Sequence, residues 1–476
     1  MSVRNGSSSN HSMAIWNPHS WQARPAAQQP EYPNPSELER CLGQLRRLPP
    51  LVVPEEVNRL RNLLAEAAVG KRFLLQGGDC AEQFKDCNAE SIADKLRVLL
   101  QMSVVLTHSG RRPVVRVGRI AGQYAKPRSG TTERVRAGGR ELDLPVYRGD
   151  LVNSLEASQK GRKADPERMV QAYFHAGATL NHIRALIEGG FADLHHPERW
   201  ELHQASTASY QAVLEEVRES LEFLEALGGV ERGTLERIDF FTSHEALLLP
   251  FEEALTRWIP NDEDDGHNVG SLRQSLSSLA RGGGYYNLGA HMLWVGERTR
   301  DLDGAHLEYL RGIKNPIGVK LGPTATPSTL NELLQLLDPT HVPGRITLIT
   351  RFGAGLIREH MPALIHAVKR AGHTVLWSCD PMHGNTVKTS GGLKTRHFEA
   401  VLSELRQAFE IHTAEGSQLG GVHFELTGEA VTECMGGNVG VSESDLPRAY
   451  ETGCDPRLNG AQSLEMAFLI AGMLRQ

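Results

Sequence analysis

Four residues of this 476-residue chain could together hold a metal: Cys80, His383, Glu425 and Asp455. They offer one thiolate, one imidazole and two carboxylates, a mixed donor set suited to a divalent transition ion. Four others, Arg119, Arg298, Lys320 and Arg351, are cations that would repel one another at a shared mouth. The reason to gather them is a phosphate or a carboxylate, so a metal beside an anion clamp suggests a phosphorylated substrate. Taken singly, each residue is a weak signal. A buried Cys commonly acts as a small hydrophobe, a lone His is commonly a satisfied group, and an Arg at a strand end commonly pairs with a carboxylate. Lys320 would also suit a Schiff-base aldolase. What carries weight is coincidence, because the set falls at the ends of seven different expected strands, with Asp455 in the later segment Glu451–Arg457.

Those strands are short apolar runs that each lead into a polar loop. The runs are Phe73–Leu75, Val114–Val117, Ile238–Phe241, Met292–Val295, Ile317–Lys320, Ile346–Ile349, Val375–Trp377 and Val422–Phe424. In the loop after the seventh, Pro381 ends any ladder, Gly384 permits close backbone approach, and His383 is left where the strand has stopped. Cys379 and Asp380 are expected to shape that turn rather than bind the ion. Helical patterns follow many of the runs, at Ile92–Met102, Leu330–Leu337, Leu364–Val368, Phe398–Phe409 and Leu464–Leu474. Eight such units imply parallel strands in an α/β fold, closing into a (β/α)8 TIM barrel; a doubly wound open sheet is the alternative.

The remaining segments divide the chain. Residues 1–13 are expected to be disordered, 14–69 to form an N-terminal arm and helix, and 70–476 the barrel domain. Between strands two and three, residues 160–230 hold an inserted pair of amphipathic helices, either inert or a surface for oligomer contacts or effectors. The acidic and Gly-rich stretch 260–284 reads as a mobile loop. Net charge is −6 without a long basic block, which gives no reason to expect nucleic acid or an anionic membrane as partner. No apolar run of spanning length and no secretory signal stands out, so a cytoplasmic location is expected. Six cysteines without paired Cys-x-x-Cys spacing do not make a disulfide framework.

Five segments are similar to the signatures of the class II 3-deoxy-D-arabino-heptulosonate 7-phosphate (DAHP) synthases: Leu74–Glu82, Arg119–Ser129, Trp294–Arg300, Asp380–Asn385 and Cys454–Asn459. The resemblance runs from about Trp16 to the C-terminus. It implies a metal-dependent condensation of phosphoenolpyruvate with erythrose 4-phosphate, the first step of the shikimate route to aromatic amino acids. It also implies the roles. Cys80, His383, Glu425 and Asp455 match the metal ligands, the ion being manganese, with cobalt or zinc as alternatives. Arg119, Glu297, Arg298, Lys320 and Arg351 match the phosphoenolpyruvate site, and Lys126, Arg128 and Ser129 the erythrose 4-phosphate site. Lys320, His383 and Glu297 are the expected catalytic residues. The extended arm and inserted helices resemble the long subgroup, whose members are homo-oligomers, dimers or tetramers, inhibited by aromatic amino acids. A paralogue of secondary metabolism using the same or an amino-analogue substrate is the alternative, and a Schiff-base aldolase through Lys320 a more distant one.

Overall fold

Runs such as Ile317–Leu321 and Ile346–Thr350 are buried at every position, as parallel strands covered on both faces must be. The computed structural model, which describes residues 16–192, 207–226, 238–260 and 283–475, closes eight such strands into a barrel. They are β1 (Phe73–Gly78), β2 (Val114–Arg119), β3 (Phe241–Glu245), β4 (Met292–Val295), β5 (Ile317–Leu321), β6 (Ile346–Thr350), β7 (Leu376–Cys379) and β8 (Leu419–Glu425). Each is parallel to its sequence neighbours, and β1 pairs with β8 from Leu74↔Gly421 to Gly78↔Glu425, so the sheet has no edge and the open-sheet alternative falls. Helices follow the strands on the outside; Ala89–Gly110, after β1, packs against the last, Gly460–Leu474. The N-terminus expected at 1–13 and nearly all of the 260–284 loop lie outside the described residues.

One strand differs from its sequence expectation. Ile238–Phe241 is apolar, yet β3 starts only at Phe241 and continues through Thr242, Ser243 and His244, all buried. Hydrophobicity marked the approach rather than the strand, because this strand puts polar side chains into the barrel, where they are hydrogen-bonded: Gln76 Nε2 donates to Ser243 Oγ at 2.9 Å and Ser243 Oγ to the Gly118 carbonyl at 3.1 Å.

The amino-terminal end of the barrel is closed from below. Helix Pro54–Ala68 starts with Pro at its first turn and places Leu60, Leu64 and Ala67 on one face. That face packs on Leu74, Val115, Val117, Phe241, Met292 and Leu376. Between β2 and β3 the chain forms a hairpin, Thr132–Ala137 with Arg140–Pro145, and the helices Glu167–Glu188 and Ala208–Ala226. Gly138 and Gly139, at φ 57° and 76°, supply the left-handed pair that a two-residue hairpin turn requires. Met169, Tyr173, Ala176 and Leu180 of the first inserted helix share a core with Leu42 and Leu45 of the N-terminal arm and with Tyr124, Leu247 and Phe251 of the barrel loops. Among the described residues no helix is long and apolar enough to cross a membrane.

Gly149 stands where this shared core meets the loop after β2. Its φ is +99°, and a Cβ there would run into the Tyr124 carbonyl oxygen. Gly149→Ala is expected to cost about 2 kcal/mol from strain and displacement, visible as a thermal midpoint lowered by several degrees; an unchanged midpoint would contradict this packing.

Candidate active site at the barrel mouth

Strand register brings the chemical groups level. Gly78 at the end of β1 is paired with Arg119 on one side and Glu425 on the other. Beyond Gly78 the chain turns through Asp79–Glu82, and its two carboxylates hold the turn. Asp79 is paired with Lys95 at 2.5 Å and Arg457 at 2.7 Å, while Glu82 accepts from the backbone N–H groups of Ala121, Gly122 and Gln123 at 2.8–3.0 Å. Cys80 is fixed between them.

The donor atoms of Cys80, Glu425 and Asp455 lie within 4.8 Å of one another. His383 is outside that trio but touches it, with Nε2 3.1 Å from Glu425 Oε1. Its other nitrogen, Nδ1, is 2.7 Å from Asp380 Oδ2. A ligating imidazole is commonly oriented this way, with one nitrogen tied to a carboxylate and the other turned to the ion. Glu425 is fully buried and meets Arg119 Nη2 at 3.2 Å and Arg396 Nη2 at 2.7 Å. Burial pushes its carboxyl up, but His383, Lys126 and Arg396 outweigh that and hold it well below the usual range. Burial pushes the Cys80 thiol well up. Lys126 Nζ touches Cys80 Sγ and lies 2.5 Å from Asp455 Oδ2, so the trio is arranged around positive charge; by donor type and spacing it fits a divalent ion.

Above the trio opens a cavity of about 410 Å³. All the expected residues line it except the fully buried Glu425: Arg119, Glu297, Arg298, Lys320 and Arg351, together with Lys126, Arg128 and Ser129, and Cys80, His383 and Asp455. Arg298 Nη2 donates to Ser129 Oγ at 3.0 Å and so joins the loops after β4 and β2. Lys320 is buried, ion-paired with Asp380, and 3.4 Å from His383 Nδ1. Burial lowers its ammonium pKa, with Asp380 opposing. Asp380 also accepts from the Met382 and His383 N–H groups, so it shapes the turn as expected and braces Lys320 as well. Glu297 is engaged by Arg300 at 2.7 Å, the Gly322 N–H at 2.8 Å and Thr324 Oγ1 at 2.5 Å; it ties the loops after β4 and β5 together.

Several site residues escaped the sequence. Glu245 ends β3 and lines the cavity, and burial pushes its carboxyl up; displacing that strand by three residues in the sequence hid it. Lys394, 2.7 Å from Asp455 Oδ1, and Arg396 come from a small hairpin, Thr386–Lys388 with Lys394–Arg396, that no apolar run announces. His423 stands on β8 below the mouth, accepting from Arg119 Nη1 at 2.7 Å and donating from Nδ1 to Gln76 Oε1 at 2.8 Å. Alternation along β8 with Glu425 was the available signal.

The model of the Class-II DAHP synthetase family matches residues 16–471. The chain is 47% identical over 467 residues to the phospho-2-dehydro-3-deoxyheptonate aldolase of Neurospora crassa, covering 97% of this chain and 95% of that one. It is 47% identical over 457 residues to phospho-2-dehydro-3-deoxyheptonate aldolase AroG of Mycolicibacterium smegmatis, covering 95% and 93%. A solved phospho-2-dehydro-3-deoxyheptonate aldolase from Francisella tularensis SCHU S4 aligns with a TM-score of 0.46 at 14% identity, over 92% of this chain and 96% of that one. The chain belongs to the Class-II DAHP synthetase family and is an enzyme.

The loops after β6 and β7 share one carboxylate. Glu404 accepts from the N–H groups of Phe352 and Gly353 at 2.8 and 2.9 Å, and from Asn385 Nδ2 at 2.7 Å. Burial raises its pKa to about 7. The folded state therefore binds this proton more tightly than the unfolded chain, and the stability it contributes is full below about pH 4.5 and lost as pH rises through about 7. Between pH 5 and 8 the unfolding free energy of the wild type should fall by up to about 3 kcal/mol relative to Glu404→Gln. A pH-independent difference in denaturant titrations would count against it.

Proposed function

We propose that this enzyme condenses phosphoenolpyruvate with erythrose 4-phosphate, giving DAHP and inorganic phosphate, in a metal-dependent reaction at the barrel mouth. The observation that carries the reading is the cavity itself, which is lined by six Arg and Lys side chains of the expected set together with a thiol, a carboxylate and an imidazole. Arg119, Arg298, Lys320 and Arg351 would hold the phosphate and carboxylate of phosphoenolpyruvate; Lys126, Arg128 and Ser129 would hold the phosphate of the aldehyde. Both substrates are anions, so their approach needs this cation field to offset repulsion as well as to orient them.

A divalent ion held by Cys80, His383, Glu425 and Asp455 would supply Lewis-acid polarisation of the aldehyde oxygen. C3 of phosphoenolpyruvate forms the new bond to the aldehyde carbon, water adds at C2, and phosphate leaves with cleavage of its C–O bond. Lys320, bridged by Asp380 to His383, forms a proton path beside the reacting atoms, and Glu245 faces the same space with a carboxyl raised by burial. Glu297 acts by holding the walls together. Manganese is the proposed ion, and a homo-oligomer feedback-inhibited by aromatic amino acids is the proposed regulatory form.

The lowering of the Lys320 pKa by burial gives the Schiff-base reading its support, while the ion pair with Asp380 opposes loss of the proton. Cys80→Ser should lower turnover at least about 100-fold and reduce bound metal measured by elemental analysis. Chelation of the wild type should do the same, with recovery on adding Mn2+. Full activity in metal-depleted buffer, or borohydride trapping of substrate on Lys320, would sink the proposal. Steady-state rates at saturating Trp, Phe and Tyr, singly and together, check the feedback; unchanged rates would remove it.

A further inference from the structure

The segment carrying Lys126, Arg128 and Ser129 is held from outside the barrel. Gln28, in the N-terminal arm, meets it with both ends of its side-chain amide. Gln28 Oε1 accepts from the Arg128 backbone N–H at 2.8 Å, and Gln28 Nε2 donates to the Arg128 carbonyl at 3.1 Å. The amide thus pairs with Arg128 as a neighbouring strand would. Arg148 completes the clasp: its Nη1 donates to the Gln28 carbonyl at 3.3 Å, and its own carbonyl accepts from the Lys126 N–H at 2.9 Å.

Gln28 holds this position against a backbone cost. Its φ is +63°, in the left-handed region that side chains other than glycine seldom occupy. Neighbours pin the arm independently. Trp21 Nε1 donates to Glu253 Oε2 at 2.8 Å, and Gln29 both donates to the Leu247 carbonyl at 2.8 Å and accepts from the Leu249 N–H at 3.1 Å. A strained residue whose side chain reaches one backbone unit of the cavity wall is placed for that contact. The rest of Arg128 is equally constrained, with Nη1 donating to the Tyr147 carbonyl at 2.9 Å and Nη2 to Glu133 at 2.6 Å.

We infer that Gln28 is a positioning residue for the second anion of the site: it fixes the backbone of Arg128, and through Arg128 and Ser129 the groups that receive the phosphate of the aldehyde substrate. The inference rests on the proposed function for its substrate, and on geometry alone for its contact. In Gln28→Ala, which loses both hydrogen bonds to Arg128, KM for erythrose 4-phosphate should rise at least about fivefold, with KM for phosphoenolpyruvate within about twofold of wild type. Gln28→Glu accepts but cannot donate and faces the Arg128 carbonyl with a charge, so its rise should be at least as large. Gln28→Gly relaxes φ while removing the amide; it should melt no lower than wild type and still show the raised KM, a split that a merely structural role would not produce.

Amide hydrogen exchange in the peptide spanning 126–130 reads the contact without substrates, and should quicken about tenfold in Gln28→Ala. Unchanged exchange, or KM values for both substrates rising in step with a falling melting temperature, would overturn the inference. If the wild type yields no DAHP, the proposed function fails, while the exchange result still decides whether Gln28 fixes Arg128.

Discussion

A carboxylate fully removed from water must be matched by charge, and Glu425 is matched from four directions. Arg119 reaches it from β2, Lys126 from the loop beyond, His383 from the turn after β7, and Arg396 from the small hairpin. An unmatched buried charge costs several kcal/mol, so each of these segments is drawn to one point of the barrel mouth. Asp455 is drawn in through Lys126 and Lys394, and Cys80 through Lys126. The cluster is thus a folding constraint before it is a site.

Below it, the hydrogen bonds run in one sense. Arg119 donates to His423 Nε2, which leaves the proton on Nδ1 for Gln76, whose amide donates to Ser243 and Ser243 to the Gly118 carbonyl. Burial, with Lys320 and Arg119 nearby, holds His423 well below its usual pKa, so the ring stays neutral and the chain keeps its direction. Arg119 is therefore held from beneath by a neutral acceptor and from the side by a carboxylate. Its Nε and Nη2 also donate to the Asp79 and Cys80 carbonyls at 3.0 and 3.2 Å, so its position on the cavity wall is fixed on every side.

Much of this was legible in the residues. Seven of the eight strands lie where apolar runs placed them, because parallel strands buried on both faces must be apolar; β3 was misplaced because its interior is polar and internally satisfied. The expected site residues meet because strand register carries them to one level, which periodicity foretells. Lys394 and Arg396 were not legible, since a hairpin of three-residue strands has no periodic signature. Gln28 was hidden for another reason: nothing in a Pro-rich arm tells which of its residues turns toward the barrel.

Helix Pro54–Ala68 gives the enzyme a floor. Opposite that floor the cavity is lined from the carboxyl ends of the strands, so its charges sit at different depths. Arg119 and Lys320 lie buried near the bottom of the well, whereas Arg128 is half-buried and Ser129 exposed at its rim. Charge therefore grades from dry at the bottom to hydrated at the rim, and dissolved salt will screen the outer contacts more than the inner ones.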